Sequence, residues 1–215
     1  MKNLIELNED EKDCLQELMN ISYGAATAAI SEIIGKFATL SIPNIDTISS
    51  CDLRKHLNEK LLSKNKYYVS NQLVNGYLAG ENIFIIDEIS SINLAREFDL
   101  SDDEIDENEI KDIILEITNI LSSATSGKLA SLVDTSISFS APHITKINSI
   151  DEFDKRFEGE YSHVIIISTE LNFKEQNIKG ELMILTKKRS SIFLKKALDN
   201  AFRKTFNLRL YYANK

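Results

Sequence analysis

The sequence is poor in the residues that mark disulfide frameworks and nucleotide-binding loops. Its 215 residues include two prolines, two cysteines, seven glycines and no tryptophan. Cys14 and Cys51 are too few for the framework of a small secreted domain, so we expect both to be thiols. The glycines do not form the G-x-x-x-x-G-K-S/T loop of P-loop nucleotide hydrolases, which excludes that class.

Positive charge and long apolar runs are lacking as well. The formal net charge is −8, which disfavours binding to nucleic acid or to an anionic membrane surface. The longest uncharged apolar segment, near residues 164–168, has the length of a strand and is too short to span a bilayer. The N-terminal MKNLIELNEDEK turns acidic too early for a secretory signal. We therefore expect a cytoplasmic protein without membrane insertion.

The chain contains two related segments, which begin at Asp13 and Asp112. The first reads DCLQELMNISYGAATAAIS and the second DIILEITNILSSATSGKLAS. In each, a Glu follows the Asp by four positions and an Asn follows the Glu by three. Each Asn also lies 23 positions before one of the chain's two prolines, which gives the pairs Asn20–Pro43 and Asn119–Pro142. Such self-similarity predicts a duplicated structural unit.

The correspondence continues downstream of the prolines. Gly80-Glu81 is matched by Gly180-Glu181, and Ser90-Ser91-Ile92 by Ser190-Ser191-Ile192. No linker rich in Pro or Ser separates the halves. We therefore predict one domain over residues 1–215, built of two repeats at about 8–98 and 108–200.

Each repeat is predicted to run helix, strand, strand, strand, helix, so that about six strands are covered by helices in a pseudo-two-fold α+β fold. Both first helices are long. The six strands can form one sheet or two three-stranded sheets. The predicted strands are 37–42, 67–73, 77–86, 136–141, 163–171 and 178–186. A loop is predicted after the first strand of each half. The helices that close the two halves are predicted at 88–98 and 188–203.

Turn and cap signals accompany these elements. Asn8 with Glu11 predicts the start of the first helix. For the second long helix, Ser101 with Glu104 and Asn108 with Lys111 are weaker candidates. Asn75-Gly76 predicts a hairpin turn.

The repeated polar residues lie on one face of each long helix. At about 100° per residue, the four polar positions of each segment fall within about 60° of one another. The stripe of the first helix is Asp13, Glu17, Asn20 and Gly24, and that of the second is Asp112, Glu116, Asn119 and Ser123. The opposite faces are apolar and are predicted to meet the core, through Leu15, Leu18, Met19, Ala25, Ala26, Ala29 and Ile33 in the first helix and Ile113, Ile114, Ile117, Leu121, Ala124 and Leu132 in the second.

The asparagine is the informative member of the stripe. Its amide carries both donors and an acceptor, so it can hold a water molecule against an electrophile. A carboxylate one turn earlier can pair with a cation of a partner, and Gly24 or Ser123 one turn later leaves room for close approach. This arrangement suits water positioning without a covalent intermediate. The alternative is that each stripe is merely a solvated helix face.

The motifs resemble the CheC/CheX/FliY chemotaxis phosphatases. Asp/Ser-x-x-x-Glu-x-x-Asn with a distant proline is the signature of that family. NISYGAATAAIS resembles the Asn-Ile-Gly-x-Gly-x-Ala-x-x-Ala-Leu-Ser run that follows the CheC motif, and NILSSATSGKLAS resembles the second CheC motif. The likeness covers nearly the whole chain, and its length and duplicated plan make CheC the nearest member.

The resemblance implies a hydrolase that removes phosphate from the aspartyl phosphate of a CheY-type response regulator. It implies that Asn20 and Asn119 orient the attacking water, and that Glu17 and Glu116 bind the regulator, through its phosphate-site lysine. Asp13 and Asp112 would help docking, and Pro43 and Pro142 complete the motif. Mg²⁺ would belong to the regulator. Tyr23, larger than the residue usual there, is expected to narrow access to the first site.

Other functions remain open at this stage. A non-catalytic adaptor that binds CheD, or a regulator, through the same helices is the main alternative, and CheD is a second candidate partner. A flagellar switch component is a third, disfavoured because FliY-like proteins carry an additional C-terminal domain. His56, His143 and His163 lack companions at ligand spacing, so no metal site of its own is expected.

Overall fold

The structure, a computed structural model, describes residues 6–49, 52, 55, 66–98, 100, 101, 103–148, 152, 163–173 and 175–213. Within these ranges, the side chains of 47–49, 163–165, 168 and 201–213 are not described. Cys51 and His56 lie outside the described residues, as does most of each predicted loop.

Four helices lie in the described part of the chain: α1 (Glu9–Ile34), α2 (Glu88–Arg96), α3 (Glu107–Leu132) and α4 (Lys188–Ala213). The predicted start of α1 is confirmed. Asn8 Oδ1 accepts from the Glu11 amide at 2.8 Å, and Glu11 Oε2 accepts from the Asn8 amide at 2.7 Å. Lys195 of α4 donates to the same Glu11 oxygen at 2.6 Å, so the cap also joins the first helix to the last.

The start of α3 differs from both candidates. Asp106 is its N-cap, and the Asp106 side chain accepts from the amides of Asn108 and Glu109. Ser101 and Glu104 do bond to each other, but in the turn before the helix. The cap was missed because Asp106 stands in an acidic run in which several residues have capping side chains.

Eight strands form one antiparallel sheet in the described residues, two more than the sequence predicts. They are β1 (Thr39–Leu40), β2 (Asn44–Ser49), β3 (Tyr67–Gly76), β4 (Gly80–Asp87), β5 (Ile137–Phe139), β6 (His143–Ile147), β7 (His163–Phe173) and β8 (Ile178–Thr186). The principal order is β1-β7-β8-β4-β3-β5, while β2 also pairs with β7 and β6 with β3.

This order is unchanged when the two halves are exchanged. If β1 to β4 are exchanged with their counterparts β5 to β8, the strand order is the same order read from the opposite edge of the sheet. The short strands of one half therefore pair only with the long hairpin of the other half among the described contacts. The two hairpins meet at the centre, where β4 pairs with β8.

Several predicted boundaries were wrong. β2 and β6 fall in segments that the sequence analysis assigned to loops, and their polar, irregular sequences explain why. The first strand shrinks from 37–42 to Thr39–Leu40, the two residues that pair with β7, and Phe37 and Ile42 are 83% and 73% exposed. β3 continues through Asn75 and Gly76, so the hairpin turn lies beyond them, at 77–79.

The core lies between the helices and one face of the sheet. α1 packs against α3, and their buried residues join those of β4, β7 and β8 in one cluster. Phe84 and Ile86 of β4 belong to this cluster, whereas Ile83 and Ile85 point to the opposite face and are buried too. The central strand β4 is thus covered on both faces.

Candidate functional site

Both polar stripes are exposed, as the helical wheel predicts. All residues of the two stripes are exposed, namely Asp13, Glu17, Asn20 and Gly24 of α1 and Asp112, Glu116, Asn119 and Ser123 of α3. Along each helix, residues that are buried in the core lie between them. No neighbouring atom would contact a Cβ on Gly24, so the surface beside Asn20 is open. Two acid–amide stripes therefore stand free for a partner.

The buried face of α1 is rotated slightly from the predicted one. Ala25 is exposed and Ile33 is 48% exposed, so neither packs into the core. Tyr23, Ile30 and Ile34 take that role. The wheel was misleading because it weighed side chains by polarity alone and could not include Tyr23, whose hydroxyl is buried with its ring.

The two proline-ending segments are fastened beside the stripes by matching hydrogen bonds. Ser41 and Ser140, each two residues before its proline, donate their amides to the carbonyls of Glu170 and Leu73, both at 3.0 Å. Their hydroxyls accept from the Glu170 and Leu73 amides at 3.0 and 3.1 Å. The equal spacing between each Asn and its proline therefore has a structural counterpart. In both halves the chain turns back past its own long helix and is hydrogen-bonded there just before the proline.

The prolines themselves differ in setting. Pro43 is buried, and its carbonyl accepts a hydrogen bond from Gln16 of α1 at 3.1 Å. Pro142 is half-buried. The first proline segment is therefore tied directly to the helix that carries Asn20.

At the second stripe, Asn119 is held from below by a residue that the sequence analysis did not single out. Gln72 of β3 is 1% exposed, and its Nε2 donates to Asn119 Oδ1 at 3.1 Å and to the Ser140 carbonyl at 2.7 Å. Ser123, one turn after Asn119, donates its hydroxyl to the Asn119 carbonyl, which is an ordinary helix-internal bond. The side-chain oxygen of Asn119 is therefore held by the hydrogen bond from Gln72, while the residue as a whole remains exposed.

The first stripe is built differently. Thr169 of β7 takes the place of Gln72, and its hydroxyl donates to the Ser41 carbonyl at 2.7 Å. Thr169 makes no hydrogen bond to Asn20, and the Asn20 side chain has no hydrogen-bond partner within the described part of the chain. Nothing in the motif spacing signals this difference, because Gln72 and Thr169 lie in strands far from either motif.

A groove of 520 Å³ runs beside Asn20. It passes Gly24, Thr27 and Ala28 of α1 and reaches Phe37 and Leu40. Tyr23 also lines it, but at 3% exposure the ring lies in the wall of the groove and does not project across the stripe. Burial raises the pKa of Tyr23, and the charge of Glu181 raises it further, so the hydroxyl stays protonated at neutral pH.

Cys14 stands next to the first stripe. Partial burial raises the pKa of its thiol, and the negative charge of Glu17 raises it further. A thiol with these neighbours is a poor nucleophile. Among the residues that the structure describes, no three His, Cys, Asp or Glu side chains come together as metal ligands. The site therefore offers amides and carboxylates, the groups that position water and bind a cation of another protein.

Comparison with known proteins identifies the fold. The sequence matches no protein-family model and no curated protein. Among solved structures, Thermotoga maritima FliY superposes with a TM-score of 0.70 at 17% identity, covering 90% of this chain and 98% of that one. The FliM middle domain of H. pylori gives 0.57 at 14%, with 89% and 99% covered. CheX of Vibrio vulnificus gives 0.53 at 12%, with 79% and 98% covered.

The chain thus has the α+β fold of the chemotaxis and flagellar-switch proteins. More particularly, it has the fold shared by FliY, CheX and the FliM middle domain, which confirms the fold implied by the sequence motifs. That CheC is its nearest member stays a prediction. In the described ranges, none of the helices combines the length and apolarity needed to cross a bilayer.

Proposed function

We propose that this protein hydrolyses the aspartyl phosphate of a CheY-type response regulator, using Asn20 and Asn119 to position the attacking water. The observation that carries the proposal is the exposure of both acid–amide stripes on long, well-packed helices. A residue that only solvated a helix surface would not need to recur with the same acid one turn before it and the same proline segment beside it.

The chemistry follows from the side chains present. The phosphoryl group and Mg²⁺ belong to the regulator, so the phosphatase needs to supply only docking and water orientation. Glu17 and Glu116 would form ion pairs with the lysine of the regulator's phosphate site. These ion pairs would fix the distance between each asparagine and the phosphorus. The amide oxygen of Asn20 or Asn119 would then accept from the water and direct its lone pair along the line of attack. Asp13 and Asp112 extend the docking surface by one turn.

Charge supports this assignment of partners. A protein of net charge −8 with two exposed carboxylate stripes favours a basic docking surface over nucleic acid. A CheY-type regulator is found in the cytoplasm, and we propose the same location for this protein. CheD remains a proposed second partner.

Phosphate release from the phosphorylated regulator in Mg²⁺ tests the proposal. Wild type is expected to accelerate release, and Asn20→Ala with Asn119→Ala is expected to abolish the acceleration, because removal of a water-orienting group typically costs about 10²- to 10³-fold. Binding of the regulator should change little, since both carboxylates remain. Asn93→Ala, on α2 away from the stripes, is the matched control and should behave as wild type. Full activity in the double variant would disprove the proposal.

A non-catalytic docking protein is the second candidate. The specific observation in its favour is that FliM, crystallised with FliG and with SpeE, has the same fold. In that case this chain would bind CheD or a regulator through the stripes and release no phosphate even as wild type. Charge reversal at Glu17 and Glu116 would then weaken binding as the only effect.

A further inference from the structure

We infer that Gln72 is a positioning residue for Asn119, and that the second site depends on a buried amide which the first site lacks. The inference rests on the proposed function, because it concerns how one of the two asparagines is oriented. Three observations carry it: the contact of Gln72 with Asn119, the burial of Gln72, and the replacement of Gln72 by Thr169 at the matching place.

The contact is directional. Gln72 Nε2 divides its two protons between Asn119 Oδ1, at 3.1 Å, and the Ser140 carbonyl, at 2.7 Å. The bond to Ser140 fixes the Gln72 amide to the proline segment, so the proton that points to Asn119 has no other orientation. It occupies one lone pair of Asn119 Oδ1 and fixes the plane of that amide, leaving the second lone pair and the Nδ2 protons for water.

Burial makes the bond worth more than a surface contact. Gln72 is 1% exposed, so water does not compete for its protons as it would at the surface. Asn119 itself is exposed and would otherwise sample several rotamers. Gln72 therefore reduces the conformational freedom that the asparagine loses when it binds the water and the phosphoryl group.

The first site provides the comparison within the same molecule. Thr169 donates to the Ser41 carbonyl at 2.7 Å, just as Gln72 donates to the Ser140 carbonyl. Both side chains thus perform the same structural task of holding the proline segment. Only Gln72 has a second proton and enough length to reach the asparagine, so the positioning role is separate from the structural one.

The test isolates one site at a time. Gln72→Met keeps the length and volume of the side chain and removes its protons. It is introduced into Asn20→Ala, where only the second site can act, and into Asn119→Ala, where only the first can. We expect kcat to fall about 10-fold in the first background with KM nearly unchanged, and no change in the second. Thr169→Val, which removes the matching hydroxyl, should leave turnover at the second site unaltered.

A spectroscopic measurement separates orientation from general damage. The side-chain amide resonances of Asn119, assigned by their loss in Asn119→Ala, should shift in Gln72→Met and stay in place in Thr169→Val. Equal loss of turnover in both single-site backgrounds, or unchanged turnover with unmoved resonances, would overturn the inference while leaving the proposed function intact. Absence of phosphate release from wild type would instead remove the proposed function, and this inference with it.

Discussion

The two motif asparagines differ in the side chains that surround them. Asn20 and Asn119 have the same place in their motifs, yet one borders an open groove and the other rests on a buried amide. Motif identity therefore does not ensure equal behaviour. The difference comes from Gln72 of β3, which bonds to Asn119, and Thr169 of β7, which bonds to the proline segment of the first half.

Cys14 gives a prediction at this scale. Glu17 raises the pKa of the Cys14 thiol in addition to the effect of burial. In a Cys51→Ser background, Glu17→Gln should therefore lower this pKa and speed alkylation of Cys14 at pH 8 roughly two- to threefold, as expected for one screened charge. Alkylation rates with iodoacetamide across pH 7–10 measure the effect.

The control for this experiment is Glu32→Gln, an exposed position near the other end of α1. It should leave the alkylation rate as it is. If Glu17→Gln also left the rate unchanged, the charge of Glu17 would not be felt at the thiol, and the local electrostatics described for the first stripe would be wrong.

At the scale of elements, one half-buried lysine joins the sheet to the starts of two helices. Lys146 of β6 contacts Glu88 at the start of α2 at 2.9 Å and Glu107 at the start of α3 at 3.3 Å. It also lies 5.2 Å from the centre of the Tyr68 ring. One cation therefore connects a strand with the first turns of two helices, where carboxylates are already favourable.

We predict that Lys146→Met lowers the free energy of unfolding by about 1 kcal/mol at neutral pH, because three partners lose a half-buried charge. The hydrogen bond that Lys146 donates to the Glu88 carboxylate is the main cause that raises the pKa of Lys146 in the folded protein. The stabilisation is therefore fully present below the unfolded pKa of about 10.4 and is lost as pH rises through the higher folded pKa. Urea unfolding between pH 7 and pH 12 measures it.

Lys128→Met, on the exposed face of α3, is the matched control and should change stability by less than about 0.5 kcal/mol. A difference between Lys146→Met and wild type that stayed constant up to pH 12 would show that packing, and not the ion pairs, is responsible.

At the scale of the whole molecule, the two halves share their strand pairing and their core. β1 and β2 belong to the first half but pair with β7 of the second, while β5 and β6 pair with β3 of the first. α1 and α3 share one core cluster. Neither half can satisfy its strand edges or cover its helix without the other, so we expect a single cooperative unfolding transition.

Ile117→Ala tests this cooperativity. Ile117 of α3 is fully buried, and its truncation should lower the free energy of unfolding by about 2–5 kcal/mol. Far-UV and near-UV circular dichroism should shift together in urea. Ile33→Ala, at 48% exposure, should cost less than about 1 kcal/mol. Two separated transitions in the Ile117 variant would mean that the halves unfold independently.

The sequence alone was sufficient for the features that depend on local order. Helical periodicity placed both stripes on one side of their helices, and the Asn8–Glu11 pair marked the start of α1. β8 was predicted with both boundaries correct, since a short apolar run that is bounded by polar residues is a local signal. The motifs also led to the correct fold, which the chain shares with a FliY structure of only 17% identity.

Tertiary structure decided everything that depends on partners distant in the chain. β2 and β6 are strands only because β7 and β3 offer them hydrogen bonds, and their own sequences carry too little alternation to show it. The exposure of Ile33 and the burial of Tyr23 depend on where the sheet meets α1. The contact between Gln72 and Asn119 joins residues 47 positions apart, and no local propensity records which side chain will lie beneath another.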